Sequence, residues 1–158
     1  MGTLFNSIFW RYWAPPLVWA LIILGLSGDM GAGQKTYSLF NWVISWIVTL
    51  DLDALGLLHF RIRKVMHVLC YGVLSVLWFR ALMASYPHRL KANILLALGL
   101  CLAVSAADES SQFLSASRTG SLWDVGLDIT GGVLFLFPAV YHWKRKNLVP
   151  SEVKAPLS

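Results

Sequence analysis

The sequence predicts an all-α integral membrane protein: a helix bundle of four transmembrane helices plus a short interfacial or re-entrant helix in the first outer loop. Three observations carry this. Of 158 residues, 57% are hydrophobic and only 13% charged, against roughly 45–50% apolar and about 25% charged in an ordinary soluble domain. Mean hydropathy is +0.62 and eight tryptophans are present, which leaves too little polar surface to cover a soluble core of this length. Apolar runs of helix length recur between charged residues. The two cysteines, Cys70 and Cys101, fall inside such runs and read as reduced packing residues, not a disulfide.

The first run, Ala14 to Ser27, opens on Pro15-Pro16, which suit a helix start because proline lacks the N–H that is unpaired there. It ends in Gly28-Asp29 without a small-residue cleavage site, so it reads as a retained first span. Leu39 to Leu50, broken by Asn41 and followed by Asp51 and Asp53, is short for a span and reads as the interfacial or re-entrant helix. Three further spans lie between charged flanks: 15 residues separate Lys64 from Arg80, 16 separate Lys91 from Asp108, and 15 separate Asp128 from Lys144. At 1.5 Å per residue each is about 24 Å, short of the roughly 30 Å hydrocarbon core, so the flanking charges must snorkel or enter protein-lined recesses. Trp10, Trp13, Trp78, Trp123 and Trp143 fall near the expected helix ends, as interfacial rings do. Residues 1–146 form a single membrane domain, and residues 147–158, with Pro150 and Pro156, read as a disordered cytoplasmic tail.

The formal charge of +5, from 13 Lys+Arg and 8 Asp+Glu, records orientation. With the N-terminus inside, eight Lys and Arg fall in the cytoplasm and five outside, which favours cytoplasmic N- and C-termini in the cell (inner) membrane. No basic stripe with interleaved aromatics runs along a polar face, so nucleic acid is not an expected partner.

This topology gathers the polar residues on the outer side. Arg63, Lys64, His67 and Tyr71 open the second span, Asp108, Glu109 and Gln112 close the third, Arg118 lies in the connecting loop, and Asp124 and Asp128 open the fourth. Arg63, His67 and Tyr71 step by four, as do Asp108 and Gln112, and Asp124 and Asp128, so each helix aims its polar groups in one direction. Tyr71 lies about 10 Å further along the helix than Lys64, which implies a pocket cut into the outer half of the membrane. Asp108 and Glu109 point about 100° apart, so one can face the pocket while the other pairs with Arg63 or Arg118. Four crowded carboxylates would leave one of them available as a general acid or proton carrier near neutral pH. Gly131-Gly132 and Ser105-Ala106-Ala107 read as small-residue patches for close helix packing.

The series Arg63-Lys64-x-x-His67-x-x-x-Tyr71-x-x-Leu74, then Asp108-Glu109-x-x-Gln112 with Arg118, then Asp124-x-x-x-Asp128-x-x-Gly131 resembles the VanZ-like family of small membrane proteins, over roughly residues 60–140. Ser111 stands where that pattern often has a second histidine, and Ser117 where it has a glycine before the arginine. The resemblance implies a multi-helix cell-envelope protein, linked in one branch of the family to teicoplanin resistance, a glycopeptide antibiotic resistance.

Three readings of the cluster stay open from the sequence. In the first, Arg63, Lys64 and Arg118 meet the phosphate of an anionic envelope lipid or lipid-linked precursor, with Tyr71, Gln112, Asp124 and Asp128 lining the same pocket. In the second, the chain is a transferase or hydrolase on such a lipid, with Glu109 or Asp108 as acid/base and His67 as its partner. In the third, the charges are an interhelix latch in a structural or accessory protein. No cofactor and no oligomeric state is assigned. Carboxylates with one histidine could hold Mg²⁺ or Mn²⁺ against a pyrophosphate, but no H-x-x-x-H or Cys cluster calls for zinc, so no metal is assigned.

Overall fold

Proline shapes the first helix, though not as its start. The computed structural model of the chain describes residues 7–27, 38, 42–43, 52–114 and 121–148. A π-helical stretch, Phe9–Trp13, leads directly into α1 (Ala14–Ser27). Pro15 and Pro16 therefore sit inside a continuous helical segment. They have no N–H to return to the carbonyls of Arg11 and Tyr12, and the turn before them widens so that the Ala14 N–H bonds the Phe9 carbonyl five residues back.

Three long helices follow: α2 (Leu52–Ser85), α3 (Leu90–Leu114) and α4 (Leu122–Leu148). Together with the first segment they give four helices long and apolar enough to cross a membrane, and the chain is an all-helical, multi-pass membrane protein. Most of the apolar run Leu39–Leu50, expected as an interfacial helix, lies outside the described residues, as do Arg118 and the tail from residue 149. α2 begins twelve residues before Lys64, the charge that bounds its apolar stretch. At 1.5 Å per residue its 34 residues extend about 51 Å, so Arg61, Arg63 and Lys64 ride on a helix that continues past the roughly 30 Å hydrocarbon layer.

α2 packs most extensively on α4, then on α3, and α1 lies against α2 and α3. The α2–α4 crossing is close because of glycine: a Cβ on Gly131 would stand 2.3 Å from the Val68 carbonyl oxygen, and one on Gly72 would stand 2.6 Å from the Phe135 ring. Ser75 Oγ lies 2.8 Å from the Gly72 carbonyl and 2.9 Å from that of Gly132, so its hydroxyl donates between the two helices. At the opposite end of α2, Asn93 Nδ2 donates to the Tyr86 carbonyl at 2.7 Å and fixes the turn into α3.

The tryptophans divide. Trp10 and Trp123 are exposed, as interfacial rings should be, whereas Trp78 is buried and packs edge-on against Trp13 with ring centroids 6.1 Å apart. The Trp13 indole N–H reaches Ser85 Oγ at 3.0 Å, so this pair fastens the π-helical stretch ahead of α1 to the end of α2. Cys101 is buried and both cysteines are free thiols.

Candidate functional site

The buried positions of α3 and α4 share one spacing that brings polar groups to one end of the bundle. On α3 they run Asn93, Ala97, Cys101, Ser105, Asp108, Glu109 and Gln112, and on α4 Asp124, Asp128, Gly131, Gly132 and Leu136. Each helix thus turns a single face inward whose last or first two turns are polar. Both faces meet Arg63, Lys64, His67 and Tyr71 of α2.

The contacts resolve into pairs that cross between helices. Lys64 Nζ donates to Asp124 Oδ1, and Arg63 Nη2 approaches Asp124 Oδ2 at 3.8 Å. One turn deeper, His67 Nδ1 lies 3.0 Å from Asp128 Oδ1, while the other oxygen of Asp128 accepts the Ser105 hydroxyl at 2.6 Å. Deeper again, the Tyr71 hydroxyl donates to Asp108 Oδ2 at 3.1 Å. His67 and Tyr71 stack with ring centroids 6.3 Å apart, which holds the imidazole plane.

Glu109 does something the sequence did not suggest. Its Oε2 accepts the backbone N–H of Ser121 at 2.7 Å, just ahead of α4, while Ser121 Oγ accepts the Trp123 N–H at 3.3 Å. Ser121-x-x-Asp124 has the spacing of a capping box, in which Asp124 would reach back to the Ser121 N–H. Glu109 supplies that acceptor from α3, and Asp124 turns instead to Lys64 and Arg63. An ion pair between Arg63 and Asp108 or Glu109 was one expectation; among the described residues the guanidinium faces Asp124.

Arg63, His67, Tyr71, Asp108 and Gln112 open on a groove of about 340 Å³ whose remaining wall is apolar, formed by Trp19, Ile22, Ile23, Leu26, Met66 and Cys70. The four-residue steps of α2 and α3 thus share one cavity wall. α1 supplies the other, and Trp19 is fixed there by its indole N–H donating to the Cys70 carbonyl at 3.0 Å. Glu109 is absent from that lining and opens on a second groove with Phe113, Ser121, Leu122 and Val125. The adjacent carboxylates of α3 therefore do face different surroundings. Sequence spacing singled out neither Trp19 nor Ser121, because each enters the site through a contact with a helix remote in sequence.

The profile of the VanZ/LLP1 family matches residues 10–143. The chain belongs to the VanZ/LLP1 family. The match extends the likeness seen in α2–α4 through α1, the helix that closes the groove. No curated protein and no solved structure matches this VanZ/LLP1 chain significantly. His67, Asp108, Glu109 and Asp128 each offer a donor atom that lies within 4.8 Å of the other three, the geometry in which one cation could be held.

Proposed function

We propose that this VanZ/LLP1 protein binds or handles an anionic amphipathic lipid, a membrane phospholipid or a lipid-linked envelope precursor, in the groove between α1 and α2. The reading rests on the composition of that groove. Its apolar wall of Trp19, Ile22, Ile23, Leu26 and Met66 suits a hydrocarbon chain, and Arg63, His67 and Tyr71 stand along one edge. At about 340 Å³ the groove is near the small end of ligand sites, roughly 300–1,000 Å³, and suits one chain segment beside a headgroup. Arg63 is the cation assigned to the phosphate. Lys64 is assigned to the tie with Asp124, which gives the latch a share of the cluster without making the whole cluster a latch. In an envelope under glycopeptide attack, handling of a lipid-linked precursor is the activity that would connect such a chain to teicoplanin resistance.

A second reading has its own observation. Asp128 orients His67, as a carboxylate orients an imidazole that serves as a general base, and Asp108 stands one residue from Glu109 on the same helix. Turnover of a bound lipid would move the protein from binder to transferase or hydrolase. Mass spectrometry of lipids co-purifying with wild type and with Met66→Trp, which fills the groove, tests the main reading. An anionic phospholipid or polyprenyl phosphate enriched in wild type and depleted from an equally stable variant supports it; identical lipid profiles overturn it.

A further inference from the structure

We infer that His67, Asp108, Glu109 and Asp128 form a binding site for one divalent first-row metal ion. The four residues come from three helices, and one imidazole nitrogen and three carboxylate oxygens lie mutually within 4.8 Å. Metal–oxygen and metal–nitrogen bonds of about 2.0–2.4 Å place donors on opposite sides of an ion at about 4.0–4.8 Å, so one ion spans the set with the helices where they stand.

Two buried oxygens supply an independent pointer to a ligand. Asp108 is 2% exposed and Glu109 6% exposed, and Asp108 Oδ1 and Glu109 Oε1 have no hydrogen-bond partner. Their sister oxygens are satisfied, by Tyr71 and by the Ser121 N–H. A carboxylate oxygen kept from water without a donor is costly, and a cation is the partner that both would accept together.

Charge points the same way. Among the described residues Lys64 and Arg63 are directed to Asp124, which leaves Asp108, Glu109 and Asp128 around a single imidazole. A dication offsets that excess of negative charge as no neutral ligand could. It also removes a conflict in the groove, since His67 and Asp108 line its polar edge and an anionic headgroup there would otherwise face bare carboxylates. One nitrogen with three oxygens is a borderline donor set, softer than the all-oxygen shells of Ca²⁺ and Mg²⁺, and it favours Zn²⁺ over Mn²⁺ in affinity. The metal site stands on its own donors and does not rest on the lipid reading.

The test uses the full chain, purified in detergent, stripped with a chelator and titrated with ZnCl₂ and separately with MnCl₂. The expected result is one Zn²⁺ per chain retained through gel filtration, with affinity lowered at least about tenfold in Asp108→Asn and in His67→Gln and unchanged in Asp53→Asn, an exposed carboxylate outside the cluster. Less than one equivalent in wild type, or retention equal in all variants, overturns the proposal. Should a cluster variant fail to fold, zinc-edge X-ray absorption of the wild type decides: a shell of oxygens with one imidazole is expected, and a sulfur or multi-histidine shell refutes it. Zinc bound by wild type with no lipid that differs from the Met66→Trp profile would count against the lipid reading alone, and lipid enriched in wild type without zinc against the metal site alone.

Discussion

The two carboxylate oxygens of Glu109 stand in different surroundings. One accepts the N–H at the entrance to α4, and the other is buried without a hydrogen-bond partner beside Asp108. Glu109→Ala would strand the Ser121 N–H and should cost about 1–3 kcal/mol in unfolding free energy. Glu109→Gln keeps an acceptor there and should stay within about 1 kcal/mol of wild type, measured by chemical denaturation in detergent. Asp124 makes a different demand, since it is buried and faces two partly buried cations. Asp124→Asn should lower the thermal midpoint, and adding Lys64→Met should recover part of the loss, because one partner of a buried pair is then no longer left alone. Additive losses in the double variant would show that the pair is not coupled. The sequence identified the ionisable residues of this cluster, but not which residue meets which. Partner choice depends on where α2 crosses α3 and α4, so Arg63 faces Asp124 and not the Asp108-Glu109 pair.

Helices differ in how much of them the sequence discloses. The apolar stretches of α2, α3 and α4 and their charged boundaries were legible because hydropathy marks the membrane layer. The first turns of α2 were not, because hydropathy reports burial in lipid and not helix continuation; no proline interrupts the segment until Pro87. The proline pair was legible as the opening of the α-helical run Ala14–Ser27, but not the π-helical stretch that carries the helix further back. Lost i−4 hydrogen bonds can be absorbed by a π-helical turn as well as by a helix end. The small pair on α4 was read correctly as a packing patch, though only Gly131 meets backbone at its Cβ position. Gly131→Val should therefore destabilise the protein by about 1–3 kcal/mol, while Gly126→Val, at a position with open space around the Cβ, should lower the midpoint far less.

Across the whole molecule the two ends differ in charge: acidic and basic groups mix where α4 begins, and among the described residues only basic ones stand where α2 and α4 finish. Arg80 and Lys146 share a groove with Tyr12 at the end where α2 and α4 finish, and the carboxylates gather at the end where α4 begins. The preference of cationic loops for the cytoplasm favours, as a proposal, an orientation with the carboxylate cluster in the outer leaflet and both termini in the cytoplasm. A cysteine introduced at Ser117 should react with an impermeant thiol reagent on intact cells, and one at Lys146 only after lysis. The reverse pattern would turn the protein over and move the groove between α1 and α2 to the inner leaflet. The contact of Gly131 with the Val68 backbone has a mechanical consequence for this end of the bundle. Among the described glycines it marks the closest backbone approach between α2 and α4, so a tilt of one helix against the other would turn about this point. Asp128 lies about 4.5 Å along the axis from that point and Asp124 about 10 Å. The lever arm at Asp128 is under half that at Asp124, so any rocking displaces the carboxylate facing His67 less than the one held by Lys64.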